Sequence, residues 1–429
     1  VPLPLRLEMF GRDLSTSILD RNETPIFLNR FQKDVYEKAL RTDLISISAP
    51  TSAGKSFILS RIILDNLIDN SIKKTIIYIV PTRALISQVE ADFREMIDSY
   101  ELTDIYLSTV PQQPDHEFAN STKVFVFTQE RLHWFRTEYP AHKIDLLIVD
   151  EAQKIEDGNR GVLLQQKIED LIIDFPAIKI FFSSPYTSNP EFLLSEMPEE
   201  KSKAPIKTEF IAVNQNLIYV TQKNRKPLEW ELSLCTKKEK FKLGKVLIKF
   251  RPTGEFKRLV FVVESLADKD GGNIIYSNGA AYAETIANVL FDALPDRYEE
   301  ISSELLELSK LVKKTVHAKY VLAKVLTKKI AFHYGNMPLI VRQEIERLFK
   351  KGDIHFIICT STLLEGVNLP AKSVFIRKPT RGKGNPMNRT DFWNLAGRAG
   401  RWGKEFQGNV ICIEPEEWET PPSPDRDKQ

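Results

Sequence analysis

With 429 residues, 42% of them hydrophobic and 28% charged, the chain has a globular composition and the length of two or three domains, which excludes a disordered or fibrous protein. Its 60 Lys and Arg face 58 Asp and Glu, a formal charge of +2, so affinity for a polyanion has to come from a local groove. Three cysteines, Cys235, Cys359 and Cys412, are too few and too widely spaced for a disulfide framework or zinc cage, and no apolar run is long enough to cross a membrane.

Residues 1–24 read as an N-terminal extension, and 25–190 as a first α/β lobe. Apolar runs at 44–48, 75–80, 123–127, 145–149 and 178–182 have the length and content of buried strands. Helical patterns at 57–67, 83–97 and 161–173 alternate with them, as in a parallel sheet covered on both faces. Over 191–270 the texture changes. Alternating segments at 217–221, 246–250 and 259–263, separated by Lys-rich turns, predict a β-rich insert or connector.

A second α/β lobe follows over 271–415, with strands at 273–276, 330–332, 355–359, 373–376 and 408–413. Helices are expected at 280–293 and 340–350, with a helical hairpin over 299–326. Residues 416–429 read as a tail or linker. The first residue is Val1 and the end is Pro-rich and charged, so the chain reads as a fragment of a longer protein. With few cysteines and no charged start followed by an apolar run, it reads as intracellular, cytoplasmic if prokaryotic.

Three motifs carry chemistry. Ala49-Pro50-Thr51-Ser52-Ala53-Gly54-Lys55-Ser56 lies between a strand and a helix, where backbone N–H groups wrap a β-phosphate, Lys55 reaches the β and γ oxygens, and Ser56 ligates Mg²⁺. Ala49 replaces the usual first glycine. Leu146-Leu147-Ile148-Val149-Asp150-Glu151-Ala152-Gln153 is an aliphatic strand that delivers two carboxylates at its end. Asp150 suits a Mg²⁺ held through water, and Glu151 suits the base that polarises an attacking water. In Asn394-Leu395-Ala396-Gly397-Arg398-Ala399-Gly400-Arg401, the arginines sit three apart at an expected helix start and would share one face. Two readings stand: a γ-phosphate contact from the second lobe, or a basic phosphate-binding turn. The six histidines show no ligand spacing, so no transition metal is expected.

Taken together, these motifs resemble the helicase core of superfamily 2, in its DExH branch of Ski-type RNA helicases and archaeal repair helicases. Further pieces occur in family order: Phe31-Gln32, Pro81-Thr82-Arg83-Ala84-Leu85, Thr128-Gln129-Glu130-Arg131-Leu132, Phe332-His333-Tyr334-Gly335, and the run from Cys359 through Gly366-Val367-Asn368-Leu369-Pro370-Ala371. The resemblance implies two tandem RecA-like P-loop domains that bind ATP and Mg²⁺. By the same likeness, Thr51, Ser52, Ala53, Gly54, Lys55 and Ser56 form the phosphate loop, Gln32 holds the adenine edge, and Gly366 and Asn368 approach the nucleotide from the second lobe. Arg83, Thr128, Ser277 and Thr360 would contact the strand backbone, positioning it without reading sequence.

The likeness also implies a 3′ to 5′ translocase on single-stranded or duplex nucleic acid, with DNA favoured over RNA. It extends to bacterial anti-phage systems of the Hachiman type, where a nuclease or other effector is a partner. Gln153 stands where this branch has His, Ser183-Ser184-Pro185 replaces Ser-Ala-Thr, and Asn394 replaces Gln or His. These departures leave hydrolysis intact and put efficient unwinding in question, so an ATP-gated clamp without strand separation is the alternative. Over 377–389 two readings stand: a strand-separating hairpin with Pro386-Met387 as an apolar wedge, or a solvated basic loop. Trp393 and Trp402 read as core or interlobe packing rather than base stacking.

Overall fold

A computed structural model describes residues 11–423 apart from 12–13, 21–22, 51–52, 70–71, 154–157, 186–188, 196, 209–213, 296–300, 362–368, 370, 383 and 401–406. The chain divides into two compact units, Val1–Ile211 and Ala212–Gln429.

The first unit opens with an antiparallel pair, β1 (Ser17–Leu19) and β2 (Pro25–Phe27), followed by α1 (Arg30–Arg41). Then come β3 (Leu44–Ser48), α2 (Lys55–Ile68), β4 (Thr75–Ile79), α3 (Arg83–Ser99), β5 (Ile105–Ser108), β6 (Thr122–Phe127), α4 (Gln129–Glu138) and β7 (Leu146–Asp150). The unit closes with α5 (Gly158–Asp174), β8 (Lys179–Ser184), the single turn α6 (Phe192–Ser195) and β9 (Lys203–Lys207). Seven strands form a parallel sheet in the order β5-β6-β4-β7-β8-β3-β9. Successive residues feed two cores. Ile76, Tyr78, Leu146 and Ile148 pack beneath α1, α2 and α3, whereas Ile77, Ile79, Leu147 and Val149 pack against α4 and α5. A strand buried on both faces has no polar face to alternate with, so its run is uniformly apolar.

The second unit contains β10 (Asn214–Gln222), β11 (Glu229–Cys235), β12 (Lys240–Leu247), α7 (Glu255–Leu266), β13 (Asn273–Tyr276), α8 (Ala280–Ala293), α9 (Ser303–Thr315) and α10 (Val321–Val325). It continues with β14 (Ile330–His333), α11 (Leu339–Lys351), β15 (Phe356–Cys359), β16 (Ser373–Ile376), β17 (Thr380–Arg381), β18 (Asn385–Pro386), α12 (Arg389–Ala396) and β19 (Gln407–Ile413). Its sheet runs β12-β11-β10-β19-β16-β13-β15-β14, parallel from β10 to β14 and antiparallel through β11 and β12. Both units are therefore α/β, the first built on a parallel sheet and the second on a mixed one. Among the described residues no helix is long and apolar enough to cross a membrane.

The β-rich segment 191–270 joins both sheets: β9 extends the first, while β10, β11 and β12 extend the second, so the textural change marks sheet edges. Two expectations are corrected. Residues 259–263 are helical, not a strand; Leu259, Val260, Val262 and Val263 are the buried face of α7, and packing overrides their β-branched propensity. Arg398 does not open a helix. The helix in that region is α12, capped by Asn388, whose side chain accepts from Asp391 N, and it ends at Ala396, so Arg398 lies in the turn that follows.

Candidate active site

The first unit gathers its polar side chains at the carboxyl ends of β3, β4, β7 and β8, the edge where α/β sheets bind ligands. Gly54 heads α2 with φ +79°, a left-handed conformation that a Cβ disfavours. It is doubly constrained, because a Cβ there would sit 2.3 Å from Gln32 Nε2. Gln32 is buried against the phosphate loop. Its Nε2 lies 3.4 Å from the carbonyls of both Ala53 and Gly54, and its Oε1 accepts from Asn29 N at 2.9 Å. Asn29 completes a reciprocal capping box on α1 and also donates from Nδ2 to Ala53 O at 3.2 Å. Gln32 thus meets the loop through its side-chain amide. Sequence reasoning missed Asn29, although Asn-x-x-Gln ahead of an amphipathic helix was a legible capping signal.

Lys55 is buried, with Nζ donating to Ala49 O at 2.6 Å and Pro50 O at 3.2 Å, which holds the ammonium inside the loop. Ala53 is buried, and Ser56 is exposed on the first turn of α2. Thr51 and Ser52 lie outside the described residues.

Asp150 ends β7. Burial pushes its carboxyl pKa up, the Glu151 charge adds to the rise, and Ser183, Lys55 and Tyr78 oppose it. Tyr78 donates to Asp150 Oδ2 at 3.1 Å. The Ser183 hydroxyl is the cross-strand neighbour of Asp150 but has no partner at hydrogen-bonding geometry, so it acts there as a nearby dipole. The Tyr78 phenol is itself held well above its ordinary value, by burial first and then by Asp150, and so remains a neutral donor. Nothing in the apolar β4 run marked Tyr78 in advance. Glu151 adopts φ +54°, a strained conformation for a residue with a side chain, and Gln153 Nε2 donates to Glu151 Oε2 at 2.5 Å. Gln153 therefore bonds the carboxylate directly, as its position two residues on allows.

Of the expected strand-contact residues, Arg83 is exposed at the start of α3, whereas Thr128, Ser277 and Thr360 are buried at the exits of β6, β13 and β15. In the first unit, Val80 N donates to Phe127 O at 2.8 Å, which brings the loops bearing Arg83 and Thr128 together. In the second, Ser277 N donates to Cys359 O at 2.8 Å and Thr360 N to His333 O at 3.3 Å, so those two residues also share an edge.

Arg398 belongs to this second edge. Burial raises the thiol of Cys359, the last residue of β15, to about 12, and the Arg398 charge pulls against it. The Arg398 carbonyl accepts from Ala371 N at 2.8 Å, and Gly400 N donates to Ala371 O at 2.6 Å. This turn presses on β19 so closely that a Cβ on Gly408 would lie 2.2 Å from the Ala399 carbonyl carbon. Gly366, Asn368, Arg401 and Trp402 lie outside the described residues.

The segment 377–389 contains the β17–β18 hairpin, with Gly382 and Gly384 at positive φ in its turn. Met387 is buried in the second core, so it is not an exposed wedge; Pro386 alone of that pair is exposed. Trp393 packs partly buried against the same core, edge-on to Phe392 at 5.4 Å.

The DEAD/DEAH box helicase family matches residues 29–192, and the helicase conserved C-terminal domain matches residues 289–403. A POLQ-like helicase of Caenorhabditis elegans is 23% identical over 87% of this chain and 40% of its own length. Hachiman protein HamB of Bacillus cereus is 25% identical over 87% of this chain and 35% of its own. Anti-bacteriophage protein B of Escherichia coli (strain K12) is 26% identical, over 86% and 45%. The chain spans less than half the length of these relatives.

Proposed function

Because the chain belongs to the DExH helicases of superfamily 2, we propose that it is an ATP-driven translocase that moves 3′ to 5′ on a single strand of nucleic acid and separates duplex ahead of it. The observation that carries this reading is the convergence of Lys55, Asp150, Glu151 and Gln32 at the carboxyl edge of one parallel sheet.

Here the substrate is ATP. Lys55, with the amides of the loop from Thr51 to Gly54, binds the β- and γ-phosphates at the amino end of α2. A buried carboxylate whose proton affinity is raised beside a second carboxylate calls for positive charge, and the Asp150 and Ser56 oxygens are the hard donors that Mg²⁺ takes. Magnesium bound there would supply the positive charge that neutralises the phosphates. Glu151 accepts the proton of the attacking water, and Gln153 aims its carboxylate. Gln32 orients the adenine. Arg398 and Arg401, with Gly366 and Asn368, complete the site from the second domain, where arginine stabilises the charge developing on the γ-phosphate.

On the strand side, Arg83 and the backbone groups around Thr128, Ser277 and Thr360 hold phosphodiesters, so binding is salt-sensitive and sequence-tolerant. The β17–β18 hairpin splits the duplex by occupying the fork, without an apolar Met387 wedge. DNA is the favoured strand, in bacterial defence or repair, with a nuclease or other effector as partner; the relatives HamB and anti-bacteriophage protein B support that setting.

Pro185 has no hydroxyl where the family has Thr, and this favours one other reading: a clamp gated by ATP that does not unwind. ATP hydrolysis measured with single-stranded DNA, duplex DNA and RNA at two salt concentrations, alongside strand displacement, separates the two. Stimulated hydrolysis with released strand supports the translocase, and hydrolysis without release supports the clamp. Equal hydrolysis by the wild type and Glu151→Gln removes the site assignment altogether.

A further inference from the structure

The hairpin is anchored by one side chain that the sequence did not single out. Asn278 follows Ser277 at the exit of β13, 100 residues before Lys378. Its Nδ2 donates to Lys378 O at 2.9 Å and its Oδ1 accepts from Thr380 N at 2.9 Å, so the amide spans the root of β17 from both sides. The two partners fix its orientation, because a flipped amide would oppose donor to donor and acceptor to acceptor. Between them Lys378 takes φ +41°, a left-handed kink that turns the chain from β16 into the hairpin. Tyr276, the last residue of β13, adds a third tie by donating from its hydroxyl to Thr380 O at 2.7 Å.

The far side of the hairpin is braced separately. Arg381 donates to Asp391 Oδ2 at 2.6 Å, and Asp391 sits in the first turn of α12, the helix that leads into the Arg398 turn. Met387 N donates to Pro379 O at 3.0 Å and closes the base of the loop. The hairpin is thus bolted on one side to the loop bearing Ser277 and on the other to the helix before Arg398. A hairpin hung on its own two-residue strands would be too short to hold a position against a fork.

We infer that Asn278 is a positioning residue that couples the hairpin to the strand-holding loop, so that the fork is opened in step with the strand drawn past Ser277. This inference rests on the translocase reading. Among the described residues the amide bonds Lys378 and Thr380 at the hairpin root, so its loss should uncouple hydrolysis from unwinding rather than stop hydrolysis.

The test compares the full chain with Asn278→Ala, Asn278→Asp and Tyr276→Phe in two assays, ATP hydrolysis stimulated by single-stranded DNA and release of a strand from a 3′-tailed duplex. Asn278→Ala is expected to keep hydrolysis within about twofold while strand release falls by roughly tenfold or more, a split that mere loss of folded protein does not produce. Asn278→Asp keeps the acceptor for Thr380 N and is expected to fall between Ala and wild type, as is Tyr276→Phe. Proportional loss of both activities in all three variants overturns the coupling role, and so does undiminished strand release in Asn278→Ala. A wild-type chain that hydrolyses ATP yet releases no strand removes the unwinding reading and this inference with it; wild-type release matched by Asn278→Ala removes the inference alone.

Discussion

Gly408→Ala tests how the arginine segment is held. A methyl group at residue 408 would lie 2.2 Å from Ala399 C and 2.3 Å from Gly400 N, where ordinary contacts begin at 3.4 Å, so one backbone must move by about 1.2 Å. Strand β19 is locked between β10 and β16, which leaves the Arg398–Gly400 turn to yield. That motion breaks its two backbone hydrogen bonds to Ala371, at about 1 kcal/mol each. Overpacking adds about 1–3 kcal/mol, for a total of roughly 3–5 kcal/mol. At about 2–4 °C per kcal/mol for a unit of this size, its unfolding transition should fall by on the order of 10 °C. On the role proposed for Arg398, a misplacement of about 1 Å would cost on the order of 10²-fold in turnover. Steady-state hydrolysis with saturating single-stranded DNA should therefore drop by that factor, while KM for ATP changes little, because Lys55 and its loop belong to the other unit. A variant with turnover within about threefold of wild type and an unshifted transition would refute the argument.

Three further outcomes are expected. Glu151→Gln should bind ATP like the wild type but turn over about 10²–10⁴-fold more slowly, as measured by equilibrium nucleotide binding beside hydrolysis; normal turnover would remove Glu151 from the role of base. Gly54→Ala should cost about 1–2 kcal/mol for its left-handed φ and more for displacing Gln32. Gly54→Ala combined with Gln32→Ala should therefore destabilise less than the sum of the single changes, and strict additivity in thermal unfolding would count against the contact. His142, packed against Phe125 and Phe135 and bonded to Thr75, has its pKa lowered by burial first and then by Lys123 and Arg136. The unfolded chain takes up its proton near 6.5, before the folded state does, so the stability present above that pH is lost as pH falls through the folded value. Thermal unfolding should decline between about pH 7 and pH 5, and less steeply in His142→Gln; equal slopes would exclude the linkage.

The strands at the centre of both sheets were legible because a parallel strand buried on both faces is a short, largely apolar run, as in residues 146–149 and Phe356–Cys359. The phosphate loop and the Asp150-Glu151 pair were legible for a related reason: each is a contiguous motif at a strand end. Edges were harder. Strand β9, with Pro205 in it, carries a weak signal, and the β-branched run in α7 pointed the wrong way. The turn at Arg398 was misjudged as a helix start, although Asn388 as a cap and Gly397 as a stop were both present in the sequence.

Local sequence marked most of the central strands and helices and the motifs proposed for phosphate chemistry, since periodicity and contiguous motifs are properties of neighbouring residues. Tertiary structure alone decided that Gln32 leans on Gly54, that Tyr78 donates to Asp150, that Gly408 lies under Ala399, and that Asn278 grips the hairpin root. In each pair the partners come from different elements or loops, brought together at a sheet edge or between adjoining backbones. No local pattern encodes such a meeting, because strand order and register, which place the ends side by side, arise only when the whole sheet has formed.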